Sequence, residues 1–368
     1  MTMKATARLH ELGQSLWLDN ITRQMLAEGT LQGYIDELAV TGLTSNPSIF
    51  EKAISGGDSY SEQIAEVAAA ADAGEGVGAN AEERIFFELA IADLRDATKL
   101  FAGVHERTAQ VDGWASLEVS PLLADDSEAT IEQAAALHAK AERENLFIKI
   151  PGTPAGTKAI EESIFAGVPI NVTLLFDDKQ YLAAADAYMR ALERRIEAGL
   201  DPDVASVASL FISRWDVAVA KEVPESLVNR LGVAVGGRAY RAYRELLDSP
   251  RMQRLMNEGA RPQRLLWAST GTKDPEASDT LYIEAFASPL TVNTMPEPTL
   301  LAFADHGEVG DLFPADGGNA ELVLKEFEDA GIDVGALAER LQDEGKKAFD
   351  KSWDALLKTI ADQRGAAA

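Results

Sequence analysis

Within Leu146-Phe147-Ile148-Lys149-Ile150-Pro151 a single charge sits inside an apolar run. A short run of this kind reads as a parallel strand buried on both faces. Burial disfavours an ammonium and favours the neutral amine, which attacks carbonyls to form imines. The segment alone leaves a second reading open, a lysine near a strand end that reaches back to solvent. Two carboxylates share the setting: Glu118 in Ser116-Leu117-Glu118-Val119-Ser120-Pro121, and Asp19 in Leu16-Trp17-Leu18-Asp19-Asn20, each end an apolar run. Either acid by itself reads as a cap or turn carboxylate. Together with Lys149 they make a nucleophile and two proton-transfer groups, the set that imine chemistry requires.

These groups meet only if the elements carrying them converge at one end. Eight short apolar runs recur, each ending at polar or turn residues: Ser15–Asp19, Ala39–Leu43, Trp114–Val119, Leu146–Ile150, Pro169–Leu174, Val204–Phe211, Arg264–Ser269 and Leu290–Thr294. Helical periodicity separates them at Ile21–Glu28, in several helices within Pro47–Gln110, and at Ser127–Glu144, Gly156–Ala166, Lys179–Ala198, Trp215–Ser249 and Tyr282–Phe286. Alternation of this kind predicts an α/β fold, a (β/α)8 TIM barrel. A doubly wound open sheet would usually carry a glycine-rich phosphate loop after its first strand, and Leu18-Asp19-Asn20-Ile21-Thr22 is no such loop. Residues 1–368 read as one barrel domain, decorated by a helical insertion at 47–112 and C-terminal helices at 298–368. Ala68–Asn80, rich in Ala, Gly and acids, reads as a loop, and Gln363–Ala368 as a frayed end.

Barrel enzymes place their chemistry at the C-terminal ends of the strands. That rule selects Asp19, Thr44 and Asn46, Glu118, Lys149, Asn171 and Thr173, Ser209 with Arg214 just beyond, Ser269, and Asn293.

Composition removes most other chemistries. There is no cysteine, which excludes thiol nucleophiles, disulfides and thiolate metal sites. His10, His105, His138 and His306 are scattered, none at a strand end, and His138 falls on the surface of a helical run, so no metal site is expected. A formal charge of -26 repels nucleic acid and anionic membranes. The N-terminal Met1-Thr2-Met3-Lys4 begins no apolar leader, and a cytoplasmic protein is expected. The oligomeric state is left open.

Five motifs, in order, carry a resemblance: Thr44-Ser45-Asn46-Pro47-Ser48-Ile49-Phe50, Leu117-Glu118-Val119-Ser120-Pro121, Ile148-Lys149-Ile150-Pro151-Gly152-Thr153, Gly167-Val168-Pro169-Ile170-Asn171-Val172-Thr173-Leu174-Leu175-Phe176, and Ala208-Ser209-Leu210-Phe211-Ile212-Ser213-Arg214. From about Leu12 to Thr299 the chain resembles the transaldolases, and Thr291-Val292-Asn293-Thr294-Met295-Pro296 resembles their longer bacterial subgroup. The resemblance implies transfer of a dihydroxyacetone unit between sugar phosphates in the non-oxidative pentose phosphate pathway, through an imine on Lys149 and with no cofactor. It implies that Glu118, aided by Thr173 and a water, serves proton transfer during imine formation. Asp19 would act on the C4 hydroxyl, Asn46, Asn171 and Ser209 would hold donor hydroxyls, and Arg214 would grip phosphate. The related fructose 6-phosphate aldolases typically carry Gln in place of Glu118 and Tyr in place of Phe211, so both positions follow the transferase pattern. A non-catalytic sugar-phosphate-binding barrel would have no reason to keep Lys149, Glu118 and Asp19 together.

The chain departs from many transaldolases after its seventh strand. Where they place an arginine shortly after a serine, this sequence reads Ala268-Ser269-Thr270-Gly271-Thr272-Lys273-Asp274. Arg214 is therefore expected to be the main phosphate clamp and Lys273 its substitute partner. The alternative for Lys273 is a solvated loop residue paired with Asp274.

Overall fold

A computed structural model describes residues 3–367. Eight strands occur in it: β1 Ser15–Leu18, β2 Val40–Leu43, β3 Ala115–Glu118, β4 Leu146–Pro151, β5 Ile170–Leu175, β6 Ser206–Phe211, β7 Arg264–Ala268 and β8 Val292–Met295. Every pairing is parallel and the order is β2-β1-β8-β7-β6-β5-β4-β3. A parallel bridge from Gly42 to Trp114, with Leu43 N donating to Trp114 O at 2.9 Å, joins the two outer strands and closes the (β/α)8 barrel. Almost every strand residue is buried, as expected where helices cover the outside and side chains fill the inside.

The outer helices are α1 Ala5–Glu11, α2 Arg23–Ala27, α3 Thr30–Leu38, α7 Ser127–Ala141, α8 Pro154–Phe165, α9 Asp178–Glu197, α10 Ser213–Val219, α11 Leu231–Leu247, α12 Pro250–Asn257 and α13 Leu281–Ala285. Between β2 and β3 come α4 Pro47–Ser55, α5 Ser61–Asp72 and α6 Ala81–Arg107, and after β8 come α14 Glu297–His306, α15 Ala320–Asp329 and α16 Val334–Ala367. Several helices start directly behind a strand because a short polar side chain caps them. Asn46 accepts from Ile49 N and Thr153 from Gly156 N, each followed by a proline whose fixed φ suits the first helical position.

The interior has two layers. Towards the N-terminal ends of the strands lies an apolar plug, in which Trp114 and Phe147 stack at 4.1 Å and Trp17 tilts against Phe147 at 6.0 Å. Gly42 makes room for it: a Cβ there would come within 2.7 Å of the Trp17 ring and of Trp114 O. Above the plug the inward side chains turn polar, and this second layer is the candidate site.

Four expectations need correction. The loop expected from Ala68 begins only at Ala73, since α5 continues to Asp72; its alanines are the strongest helix formers and Ala71 is buried. The left-handed Gly74, Gly76 and Gly78 then make the connection. The single helix expected over Trp215–Ser249 is broken into α10 and α11 around Pro224, and the Asp216 carboxylate bridges the break by accepting from Leu231 N at 2.8 Å. The tail does not fray at Gln363, because that side chain donates to Ile54 O at 2.6 Å and Arg364 pairs with Asp72 and Glu82. Met1, Thr2 and Ala368, on which the readings of both ends partly rest, lie outside the described residues. Three helices that were not anticipated, α1, α3 and α12, pack Leu9, Leu31 and Met252 into the core, and His138 is half-buried on α7 rather than on its surface. Among the described residues no helix is long and apolar enough to cross a membrane.

Candidate active site

Register brings the first two groups together. Glu118 on β3 pairs with Lys149 on β4, which pairs with Asn171 on β5, so the three share one level of the barrel. Lys149 is 5% exposed and Glu118 4%. Lys149 Nζ donates to the backbone carbonyl of Ser45 at 3.0 Å and lies 3.3 Å from Glu118 Oε2, close enough for an ion pair but off line for a hydrogen bond. The lysine is thus tethered from beyond β2 and faces a carboxylate across one strand gap. Burial pushes the Glu118 carboxyl above its ordinary value; the Lys149 charge pulls it back and nearby Asp19 raises it further.

Asp19 follows β1, its amide donating to Met295 O at 2.8 Å. Its carboxylate accepts from Thr44 Oγ1 at 2.7 Å, and Thr44 Oγ1 lies 2.7 Å from Thr294 Oγ1 on β8. Thr44 has one proton to give. If it goes to the ionised acid, Thr294 must be the donor to Thr44, and a Thr294-to-Thr44-to-Asp19 chain results. Part of the Asp19 surface opens to the mouth, yet burial raises its carboxyl above the usual range, opposed by Lys149, the Thr44 hydrogen bond and Lys273. Two acids raised above the usual carboxylate range by burial therefore stand near one buried amine, which supplies groups for proton transfer.

The remaining residues gather around this centre. Thr173 is wholly buried with Oγ1 free of any protein partner. Asn171 is already engaged: its Nδ2 donates to Ser116 Oγ at 3.1 Å and its Oδ1 accepts from Ser209 Oγ at 2.7 Å. Asn46 has its carbonyl oxygen committed to the α4 cap and its Nδ2 available. Asn293 Oδ1 accepts from Thr270 at 2.9 Å while its buried Nδ2 meets no partner. Ser269 sits at φ 55°, an uncommon value for a serine, with its hydroxyl 3.0 Å from Ser213 Oγ.

Arg214, at the start of α10, lies over the Phe211 ring at 5.5 Å, and no carboxylate among the described residues lies within ion-pair distance of it. Burial pushes its guanidinium down from the ordinary value and Glu344 on α16 opposes this. Lys273 is exposed, and the Asp274 carboxylate turns to Asn229 at 2.7 Å and Glu276 N at 3.0 Å instead. Of the alternative reading, the Lys273–Asp274 pair is absent among the described residues but the solvent exposure is present, and the Lys273 charge reaches Asp19.

Four contributors escaped the sequence reading. Ser45 holds Lys149 through its backbone carbonyl, a group that no side-chain pattern reveals. Thr294 lay in a recognised motif without a role. Ser116 lies two residues before Glu118, and period-2 alternation on the same face could have found it. Gln342 on α16 donates to Leu174 O at 2.9 Å and Gly152 O at 3.2 Å, drawing the last helix over the ends of β4 and β5. A Cβ at Gly345, one turn on, would meet Leu174 Cδ2 at 2.9 Å, so glycine permits that close approach beside Arg214.

The family described as Transaldolase/Fructose-6-phosphate aldolase matches residues 16–360. A transaldolase of Parafrankia sp. is 43% identical over 375 residues, covering 99% of each chain. Those of Frankia alni and Thiobacillus denitrificans are each 42% identical, over 98% and 97% of this chain and 97% and 100% of their own. With its buried lysine between two raised acids and this match over nearly its whole length, the chain belongs to the transaldolase/fructose-6-phosphate aldolase family.

Proposed function

We propose that the protein is a transaldolase, converting sedoheptulose 7-phosphate and glyceraldehyde 3-phosphate into erythrose 4-phosphate and fructose 6-phosphate. The observation that carries this reading is Lys149 Nζ, buried and 3.3 Å from Glu118, with Asp19 opening on the same mouth. Glu118 takes the ammonium proton, and the freed amine attacks C2 of the ketose. The carbinolamine oxygen leaves as water, protonated through Glu118 with Thr173 beside it, and an iminium remains. Asp19 removes the C4 hydroxyl proton; the C3–C4 bond breaks, its electron pair flows into the iminium, and an aldehyde departs. The enamine then attacks the acceptor aldehyde, Asp19 returns its proton, and water hydrolyses the new imine. The enamine must be kept from premature protonation, and α16, held over the ends of β4 and β5 by Gln342, covers that side of the mouth.

In this reading Asn46, Asn171, Ser209 and Ser269 order the donor hydroxyls around Phe211, and Arg214 and Lys273 take the phosphate. Arg214 offers a bidentate fork and Lys273 a point charge, in a chain whose net charge of -26 repels the dianion elsewhere. The same charge argues against nucleic-acid and membrane-surface partners. In this reading the enzyme is cytoplasmic, and its insertion and C-terminal helices decorate one barrel domain. Borohydride reduction of the protein with fructose 6-phosphate tests the proposal. Peptide mapping should find the reduced sugar adduct on Lys149; an adduct confined to another lysine overturns the assignment.

A further inference from the structure

The opposite end of the barrel holds a second cavity that the chemistry above does not use. It measures about 570 Å³, within the range of small-molecule sites, and opens at the N-terminal ends of the strands. Its floor is the lower face of the apolar plug, Trp114, Phe147 and Val207. Three of the large apolar side chains exposed on the protein, Val111, Met256 and Leu290 at 47%, 40% and 52%, stand on its rim.

The polar groups in its wall differ in how far they are satisfied. Arg264 pairs with Asp112 at 3.2 Å and Arg261 with Asp203, so both are neutralised. Arg244, near the end of α11, donates only to Tyr240 Oη at 3.1 Å, and no carboxylate among the described residues pairs with it. An arginine left uncompensated in so acidic a chain is a place for an anion.

We propose that this mouth is a binding site for an aromatic acid, its ring on the Trp114–Phe147–Val207 floor and its anion on Arg244. A sugar phosphate lacks the apolar body that the floor calls for. The site lies away from Lys149, so it stands or falls independently of the proposed reaction.

Anilinonaphthalene sulfonate, which joins two aromatic ring systems to one anion, is a suitable probe for the full chain, with uncharged N-phenyl-1-naphthylamine as its control. Fluorescence titration should give one sulfonate site per chain that fructose 6-phosphate does not displace. Arg244→Gln should weaken the sulfonate about tenfold or more while leaving the uncharged probe and turnover unchanged. Ala205→Trp, at the cavity wall, should exclude both probes. Equal sulfonate affinity in Arg244→Gln and the parent, or competitive displacement by fructose 6-phosphate, overturns the proposal. So does loss of probe binding on self-association, seen by sedimentation, which would assign the face to a second copy of the chain.

Discussion

Replacing Thr44 by valine removes one hydroxyl and little volume, and its effect follows from the chain that ends on Asp19. A hydrogen bond to a charged group contributes about 1.5–3 kcal/mol. If that bond steadies Asp19 as it takes and returns the C4 proton, its loss slows turnover by roughly 10- to 150-fold at neutral pH. The pH dependence has a definite sign. Burial raises the Asp19 carboxyl above its ordinary 3.8, so ionising it destabilises the fold; that cost is absent in acid below the ordinary value, grows as pH rises to the folded pKa, and then stays constant. The Thr44 hydroxyl offsets part of it. Thr44→Val should therefore destabilise most at neutral pH, with the difference from the parent shrinking as the medium is acidified. Removal of a donor to the carboxylate also raises its pKa further, so the acid limb of kcat moves to higher pH. A coupled assay with fructose 6-phosphate and erythrose 4-phosphate across pH, beside urea unfolding at neutral and acid pH, measures both effects. Borohydride trapping of the intact ketose on Lys149 should survive, since Glu118 is untouched. Parent-like turnover with an unmoved acid limb would refute the chain as a device for positioning Asp19.

Other substitutions separate the remaining roles. Asp19→Ala should still build a trappable adduct with the intact ketose, whereas Glu118→Ala should form it about 10²–10⁴-fold more slowly; equal adduct kinetics would refute the division of labour. Arg214→Ala should lower kcat/KM for phosphorylated acceptors more than Lys273→Ala does, with unphosphorylated acceptors scarcely affected, and preserved phosphate preference in both variants would place the phosphate site elsewhere. Trp353 on α16 is wholly buried, set edge-on to Phe86 at 5.1 Å and donating to Glu83 at 3.1 Å. Trp353→Ala should lose about 3–5 kcal/mol of unfolding free energy, and a loss below about 1 kcal/mol would show that α16 is not stapled to the insertion there.

The sequence alone determined the barrel and the strand-end positions of the three candidate groups at its mouth. Buried parallel strands read as short apolar runs, and one charge inside such a run is conspicuous, which is why Lys149, Glu118 and Asp19 could be placed at strand ends from local pattern. Helix extent was harder where two local signals compete. The Ala-rich segment before Asp72 carries both strong helix propensity and the small residues typical of a loop, and its buried face decided for helix. Tertiary structure alone decided the partners. Ser45 meets Lys149 from 104 residues away, Thr294 meets Thr44 from 250, and Gln342 meets Leu174 from 168. Closing a barrel makes neighbours of strands that are distant in the chain, and whether two hydroxyls face each other depends on strand register, which no single run encodes. For the same reason Asn171, which was expected to face substrate, commits part of its amide to a bridge between β3 and β6. Asn46, expected there too, caps α4 through a bond only three residues long, a local commitment that its position before Pro47 already favours.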